Sequence, residues 1–167
     1  AHGGHHTLKR MVETVKEAFE RKPHLPVVNG EPCYEGIMGS GWQEMQRFMF
    51  WTCMTMGTFG HTYGAQGIWA MNSREEPFRG TTLDWGEGLW QDAMHYPGSA
   101  QVGLGRKFLV RLPWYEFKPI TEPLLPAHRI CAFATGIPGS FRLYYFPSIC
   151  FEDSLRGMRG IPLSLEK

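Results

Sequence analysis

A short apolar strand that stops at a proline is the feature of this chain that most limits its fold. Residues 25–31 carry Val27 and Val28, and Pro32 directly follows Glu31. Adjacent β-branched residues suit a strand that is buried on both faces, as in parallel sheets. Proline ends such a strand because it has no amide hydrogen to donate. The carboxylate of Glu31 is therefore predicted at the C-terminal end of a parallel strand.

Three segments with helical spacing of apolar residues flank this strand, at residues 7–22, 42–56 and 98–112. The first is amphipathic, with apolar residues recurring every three or four positions, and Pro23 ends it just before the strand. A second strand is predicted over residues 58–69, which places Trp69 at its end. Periodicity is weak over residues 72–97, which predicts a long loop. Helices alternating with buried strands predict an α/β fold with a parallel sheet.

The sequence changes character after residue 113. Residues 114–126 are rich in proline and are predicted to be a linker. Residues 129–146 alternate apolar and polar side chains around a turn at 137–140, which predicts a β-hairpin. The expected organisation is an α/β unit over residues 1–113, the linker, and a partial β domain over residues 127–167.

Charge and composition narrow the class of ligand. The formal net charge is +1 with 20% charged residues and no basic or acidic run, so neither nucleic acid nor an anionic membrane is indicated as a partner. No apolar run reaches the roughly 18 residues of a membrane-spanning helix. Aromatic residues make up 14% of the chain, which fits either a packed core or a surface that stacks on sugar rings. An uncharged or modestly charged ligand is expected.

The cysteines and histidines give little support to a metal or cofactor. The four cysteines show no CxxC spacing, which argues against a zinc site or a thioredoxin-like motif. His2, His5 and His6 lie close enough in sequence to chelate zinc or nickel. The glycines between them leave these side chains flexible, however, and no carboxylate or cysteine lies nearby in the sequence. We expect no metal and no cofactor.

Three motifs resemble, in their order, the apiosidase-like glycoside hydrolases. They are NGEPCYE at residues 29–35, FGHTYG at 59–64 and PGSAQVG at 97–103. The likeness extends over residues 2–147. That bacterial family has a (β/α)8 catalytic barrel and a small C-terminal β domain. The resemblance implies that the chain is the C-terminal part of a (β/α)8 TIM barrel followed by the start of a small antiparallel β-sandwich domain, in a secreted or periplasmic protein.

The length of the chain adds a further expectation. A (β/α)8 barrel takes about 250 residues, and this chain has 167. We therefore expect an N-terminal barrel segment of the parent chain to be missing here and to be the partner that completes the barrel.

The resemblance also implies a reaction. Members hydrolyse O-glycosidic bonds in plant-type polysaccharides or oligosaccharides, and their best-known activity is release of apiose, although no residue here selects apiose over another sugar. Most glycosidases use two carboxyl groups. The resemblance gives Glu31 the role of nucleophile in a retaining mechanism, with the acid/base on an earlier strand outside this chain. Glu35 is the local rival, but it follows Pro32 in the turn and is less rigidly held.

Six residues are candidates for contact with the sugar: His5, Tyr34, Glu35, His61, Tyr63 and Trp69. Tyr34 is placed to hydrogen-bond Glu31 or to pack at the rim. His61 and Tyr63 are two residues apart on the predicted strand, so their side chains share a face, which in a barrel is the inner one. Trp69 is a stacking platform or a packing residue. His5 enters through the resemblance, which places a Gly-His pair in the sugar pocket.

Two other functions remain open at this stage. A non-catalytic carbohydrate-binding or degenerate protein would keep Glu31 and the aromatic residues without a working acid. A metal-dependent hydrolase would use His2, His5, His6 and His61.

Overall fold

The computed structural model describes residues 8–76, 86–120 and 132–147. The elements, in chain order, are α1 (Leu8–Glu20), β1 (Val27–Asn29), α2 (Gln43–Thr55), β2 (Thr58–His61), α3 (Gln66–Ala70), α4 (Trp90–Ala93), α5 (Pro97–Leu109), β3 (Lys118–Ile120), β4 (Phe133–Ile137) and β5 (Phe141–Tyr145). Two short 3-10 helices, Ile37–Gly39 and Trp114–Glu116, lie between them. None of the helices in this part of the chain has both the length and the apolar character of a membrane-spanning segment.

The two N-terminal strands form a parallel pair joined by α2. Val28 pairs with Gly60, and Asn29 pairs with His61. This βαβ unit confirms the predicted α/β fold, and the three long helices lie within a few residues of the predicted segments. Both strands are shorter than predicted, because the parallel pairing ends at Asn29 and His61.

The region after β2 corrects the predicted strand over residues 58–69. The chain turns after His61, and α3 begins at Gln66. The amide of Trp69 donates to the carbonyl of Ala65 at 3.0 Å, which is a helical hydrogen bond. Apolar residues at 65, 68 and 69 fit a helical spacing as well as a strand, and short apolar segments do not distinguish the two. Trp69 therefore lies on a helix.

The segment predicted as a long loop also contains regular structure. Helix α4 packs on α3, where Gly67 permits close approach. A Cβ at position 67 would lie 2.7 Å from the carbonyl oxygen of Leu89 and 2.9 Å from Cβ of Ala93. The middle of the predicted loop, residues 77–85, lies outside the described residues.

The core lies between α1, α2 and the first sheet. Met11 and Val15 of α1 pack with Phe48, Met49 and Cys53 of α2. Helix α2 buries residues on most of its circumference because it has neighbours on several sides. One of these neighbours is α5, where Gly105 has no side chain and so leaves room for the ring of Phe50 of α2.

The C-terminal sheet is antiparallel in the order β3-β4-β5. The predicted hairpin is confirmed as β4 and β5, joined at residues 138–140. Strand β3 lies inside the predicted linker over residues 114–126, and its Pro119 is tolerated because β3 is an edge strand. The sandwich and the domain boundaries stay predictions, since residues 121–131 and 148–167 are not described.

The C-terminal sheet packs directly on α2. The rings of Phe48 and Phe133 meet edge to face with centroids 6.0 Å apart, and Trp51 stacks on Tyr145 at 6.1 Å. Phe133 and Tyr145 also contact the core cluster between α1 and α2. The antiparallel sheet and the βαβ unit therefore share apolar packing across α2.

Candidate active site

Glu31 and Tyr34 are hydrogen-bonded in the turn that follows β1. The Tyr34 hydroxyl donates to Glu31 Oε1 at 3.2 Å. Both side chains are half-buried. Burial raises the pKa of the Tyr34 phenol, and the hydrogen bond to Glu31 raises it further. The phenol therefore stays a donor at neutral pH. Glu31 lies two residues beyond Asn29, the last residue of β1, which corrects its predicted position within the strand.

The Tyr34 ring rests against the backbone at Gly64 and beside Trp69. A Cβ at position 64 would lie 2.5 Å from Cδ1 of Tyr34, so the close contact requires glycine. The Tyr34 and Trp69 ring centroids are 6.5 Å apart, and Trp69 is 47% exposed. Glu31, Tyr34 and Trp69 form one continuous group, the Glu31 surface, which combines a carboxylate, a phenol and an accessible indole.

Glu35 has a different environment, although it is only four residues from Glu31. Its side chain is fully buried. Oε2 accepts a hydrogen bond of 2.6 Å from the Tyr63 hydroxyl, and Oε1 accepts one of 3.1 Å from the amide of Gly98 at the start of α5. Burial, followed by the bond to Glu35, raises the pKa of Tyr63. The structure thus brings Glu35 and Tyr63 together, with the carboxyl group of Glu35 buried and Tyr63 half-buried.

His61 packs toward the helices. Its ring meets Phe50 of α2 edge to face at 5.5 Å, and its Nδ1 lies 3.3 Å from Asn29 Nδ2. Burial lowers the pKa of His61 to about 4, so the ring is neutral at physiological pH.

The contact of His61 with α2 corrects its predicted inward orientation. Its ring packs on Phe50 of α2, whereas the partner of the Tyr63 hydroxyl is Glu35 in the turn after β1. Alternation along a strand indicates which residues share a face and leaves open which face it is. The opposite face carries Val28, which is 56% exposed. Whether His61 or Tyr63 contacts a sugar stays a prediction.

Two buried amide side chains near the site were not singled out from the sequence. Gln46 of α2 is fully buried and donates from Nε2 to the carbonyls of Cys33 and Gly41, at 2.8 and 2.9 Å. Asn29 donates to Met11 Sδ beneath β1. The sequence signal that could have identified them is a polar residue within an otherwise apolar segment. Such a residue is normally hydrogen-bonded when it is buried.

Metal ligation finds no support within residues 8–76, 86–120 and 132–147, where no group of three histidine, cysteine or acidic side chains is arranged to hold an ion. His2, His5 and His6 precede these residues, so the predicted contact of His5 with sugar lies outside the described part. Cys33 and Cys53 are buried free thiols. The other two cysteines fall in undescribed segments.

Two solved structures with a similar fold are described as glycoside hydrolases. One is a crystal structure of a glycoside hydrolase family 5 protein from Bacteroides vulgatus, with a TM-score of 0.61 and 25% identity over 75% of this chain. A second, described as a glycoside hydrolase, has a TM-score of 0.61 and 24% identity over 75% of this chain, and supports the fold alone. This chain covers 29% and 30% of their respective lengths.

The family comparison bears on the resemblance inferred from the three motifs. No curated protein matches this chain. The sequence model described as "Apiosidase-like, catalytic domain" matches residues 1–116. The resemblance is therefore confirmed, and the chain belongs to the apiosidase-like family.

Proposed function

We propose that this chain is part of a retaining glycoside hydrolase in which Glu31 is the nucleophile and the acid/base belongs to a segment outside the chain. The observation that carries the proposal is the hydrogen bond from Tyr34 to Glu31 in the turn that follows the C-terminal end of β1. Active sites of (β/α)8 barrels lie at that end of the strands. The family of the chain and its glycoside hydrolase neighbours support the reaction class.

The proposed chemistry has two steps. Glu31 attacks the anomeric carbon while the acid/base protonates the leaving oxygen, which gives a covalent glycosyl-enzyme. Water, activated by the same acid/base, then releases the sugar and restores the Glu31 carboxylate. Tyr34 fixes one oxygen of that carboxylate, and such positioning lowers the barrier because the reacting atoms are held near their attack geometry.

Trp69 is proposed as a stacking platform for the sugar. Its indole is half-exposed and lies beside Tyr34, so an apolar sugar face placed on it would lie close to Glu31. The low net charge of the chain fits a neutral substrate. Plant-type polysaccharides and oligosaccharides are the proposed substrate class.

The missing partner is proposed to be the N-terminal barrel segment of the parent chain. Val28 is 56% exposed, on the side of β1 opposite to the buried Asn29. In a complete barrel, inward-facing strand side chains fill the interior. The 29% coverage of the glycoside hydrolase from Bacteroides vulgatus supports the same proposal.

One experiment tests the nucleophile. The protein that carries this chain would be assayed on a panel of pectic oligosaccharides, with wild type, Glu31→Gln and Glu13→Gln compared. Glu13 is an exposed residue on α1 and serves as the matched control. We expect Glu31→Gln to lower kcat at least about 1000-fold, since it removes an essential group of the mechanism, and Glu13→Gln to behave as wild type. Wild-type turnover by Glu31→Gln would contradict the proposal.

A carbohydrate-binding protein without catalysis is the second candidate. Glu35, the other carboxyl of the NGEPCYE motif, is buried and hydrogen-bonded, so it is not placed to act as the acid beside Glu31. The same variants discriminate, because a binder would show no turnover in any form and unchanged sugar affinity in Glu31→Gln.

A further inference from the structure

A buried carboxylate next to Tyr34 ties together three segments of the chain. Glu35 accepts from the Tyr63 hydroxyl after β2 and from the Gly98 amide in α5. Its own amide donates to the carbonyl of Gly64 at 2.9 Å, and its carbonyl accepts from the amide of Gln66 at 3.0 Å. Backbone and side chain of Glu35 are therefore both fixed.

The start of α5 is built to receive this carboxylate. Gly98 is the second residue of α5 and follows Pro97. Amides in the first turn of a helix have no partner inside the helix and carry a partial positive charge. A Cβ at position 98 would collide with Glu35 Oε2 and lie 2.7 Å from its Cδ. Glycine thus leaves the space in which the carboxylate meets the helix.

Gly64 links Glu35 to the Glu31 surface. Its carbonyl accepts from the Glu35 amide, and its Cα lies against the ring of Tyr34. Tyr34 immediately precedes Glu35 and donates to Glu31. A shift of Glu35 would therefore move Tyr34 relative to Gly64 and loosen its bond to Glu31.

We propose that Glu35 and Tyr63 are positioning residues that orient Glu31 through Tyr34, and that neither is a ligand of the sugar. The inference rests on the proposed role of Glu31. Glu35 is fully buried with both carboxylate oxygens engaged, so a sugar hydroxyl would have to displace a charge-assisted hydrogen bond to reach it.

Two substitutions, made in the protein that carries this chain, disturb the hydrogen bonds of the Glu35 carboxylate from opposite sides. Tyr63→Phe removes one donor to Glu35, and its control is Tyr115→Phe at an exposed tyrosine. Gly98→Ala pushes on the carboxylate, and its control is Gly103→Ala in the same helix, where a Cβ meets nothing within 4 Å. Because the Cβ of Gly98→Ala also approaches Gln46, Tyr63→Phe decides the test where Gly98→Ala fails to fold.

The kinetic readout separates positioning from binding. Positioning predicts that kcat falls about 10- to 100-fold in Tyr63→Phe, as small misplacements of reacting groups do, with KM within about 2-fold. Glu35→Gln keeps an acceptor for Gly98 and is expected to retain more activity than Glu35→Ala. A raised KM with unchanged kcat would identify sugar ligands and overturn the proposal, as would wild-type kinetics.

A second readout does not depend on turnover. Tyrosines labelled with carbon-13 at Cζ would be followed by NMR, with the Tyr34 signal assigned from Tyr34→Phe. We expect Tyr63→Phe and Gly98→Ala to shift the Tyr34 signal and the two controls to leave it in place. An unmoved Tyr34 signal in Tyr63→Phe would overturn the positioning role even where Glu31 proves to be the nucleophile. If the Tyr34 signal moves but Glu31→Gln remains active, the proposed function is contradicted, while the effect of Glu35 and Tyr63 on Tyr34 is supported.

Discussion

The Tyr34 hydroxyl donates a 3.2 Å hydrogen bond to Oε1 of Glu31, three residues earlier in the same turn. The two side chains belong to one motif, so their meeting depends on the shape of that turn. The side chain of Glu35 fixes the turn by accepting from the amide of Gly98. Gln46 of α2 fixes it from the other side by donating to the carbonyl of Cys33. The geometry at Glu31 is thus set by buried polar contacts behind it.

Tyr34→Phe tests the importance of this hydrogen bond. The ring and its contact with Trp69 remain, while the donor to Glu31 is lost. A hydrogen bond from a neutral donor to a charged acceptor contributes about 1.5–3 kcal/mol. We therefore expect kcat/KM to fall at least about 10-fold. Wild-type kcat/KM in this variant would show that the bond does not contribute to catalysis.

His61 is expected to make stability fall toward acid pH. Its folded pKa is about 4, against an ordinary value of 6.5, because burial disfavours the charged ring. Between these values the unfolded chain binds more protons, so the free energy of unfolding falls as pH falls through this window, by up to about 3 kcal/mol.

Urea unfolding at a series of pH values measures the effect. His61→Gln should flatten the slope between pH 6.5 and 4 that burial of His61 predicts. His95→Gln, at an exposed histidine, should leave it unchanged. An identical slope in wild type and His61→Gln would contradict the assignment.

Cys33 and Cys53 are predicted to resist thiol reagents in the folded protein. Burial raises the pKa of the Cys33 thiol to about 11 and that of Cys53 to about 12. The thiolate is the reactive species and is scarce at pH 8 under these conditions. Iodoacetamide at pH 8, followed by peptide mass mapping, should leave both residues unmodified until urea is added. Rapid labelling of Cys53 in the native protein would argue against its buried position.

The contact between α2 and the C-terminal sheet predicts one cooperative unit. Phe133→Ala removes a ring that meets Phe48 edge to face and contacts the core cluster. We expect a loss of about 2–3 kcal/mol, below the range for fully buried rings because Phe133 is partly exposed. Phe146→Ala, at a 47% exposed ring, should cost less than about 0.5 kcal/mol.

Thermal unfolding recorded by far-ultraviolet and aromatic circular dichroism would distinguish one unit from two. A shared transition that moves as a whole in Phe133→Ala is the expected result. Two separate transitions, of which Phe133→Ala displaces only one, would mean that the C-terminal sheet unfolds independently of α2.

The long helices and strand β1 could be predicted because local signals determine them. Apolar spacing indicated α1, α2 and α5 to within a few residues. Val27 and Val28 indicated β1, which ends at Asn29, two residues before Glu31. The hairpin formed by β4 and β5 follows from its alternation and its turn residues.

The orientation of the site residues could not be predicted, because it depends on contacts between distant segments. Glu35 is predicted to be less rigidly held than Glu31, but it is fixed by bonds to Tyr63 and Gly98, which lie 28 and 63 residues away in sequence. His61 faces α2 because the helices cover that side of the pair. Trp69 fits both helical and strand spacing, and the turn after His61 decides between them.

Trapping of the glycosyl-enzyme tests the central claim most directly. The protein that carries this chain would be treated with a 2-deoxy-2-fluoro dinitrophenyl glycoside of the sugar it releases, which slows breakdown of a covalent intermediate. Proteolysis and mass spectrometry would then locate the sugar. The account predicts one fluoroglycosyl group on Glu31, and none in Glu31→Gln. A sugar on Glu35 or on a residue outside this chain, with Glu31 unmodified, would contradict it.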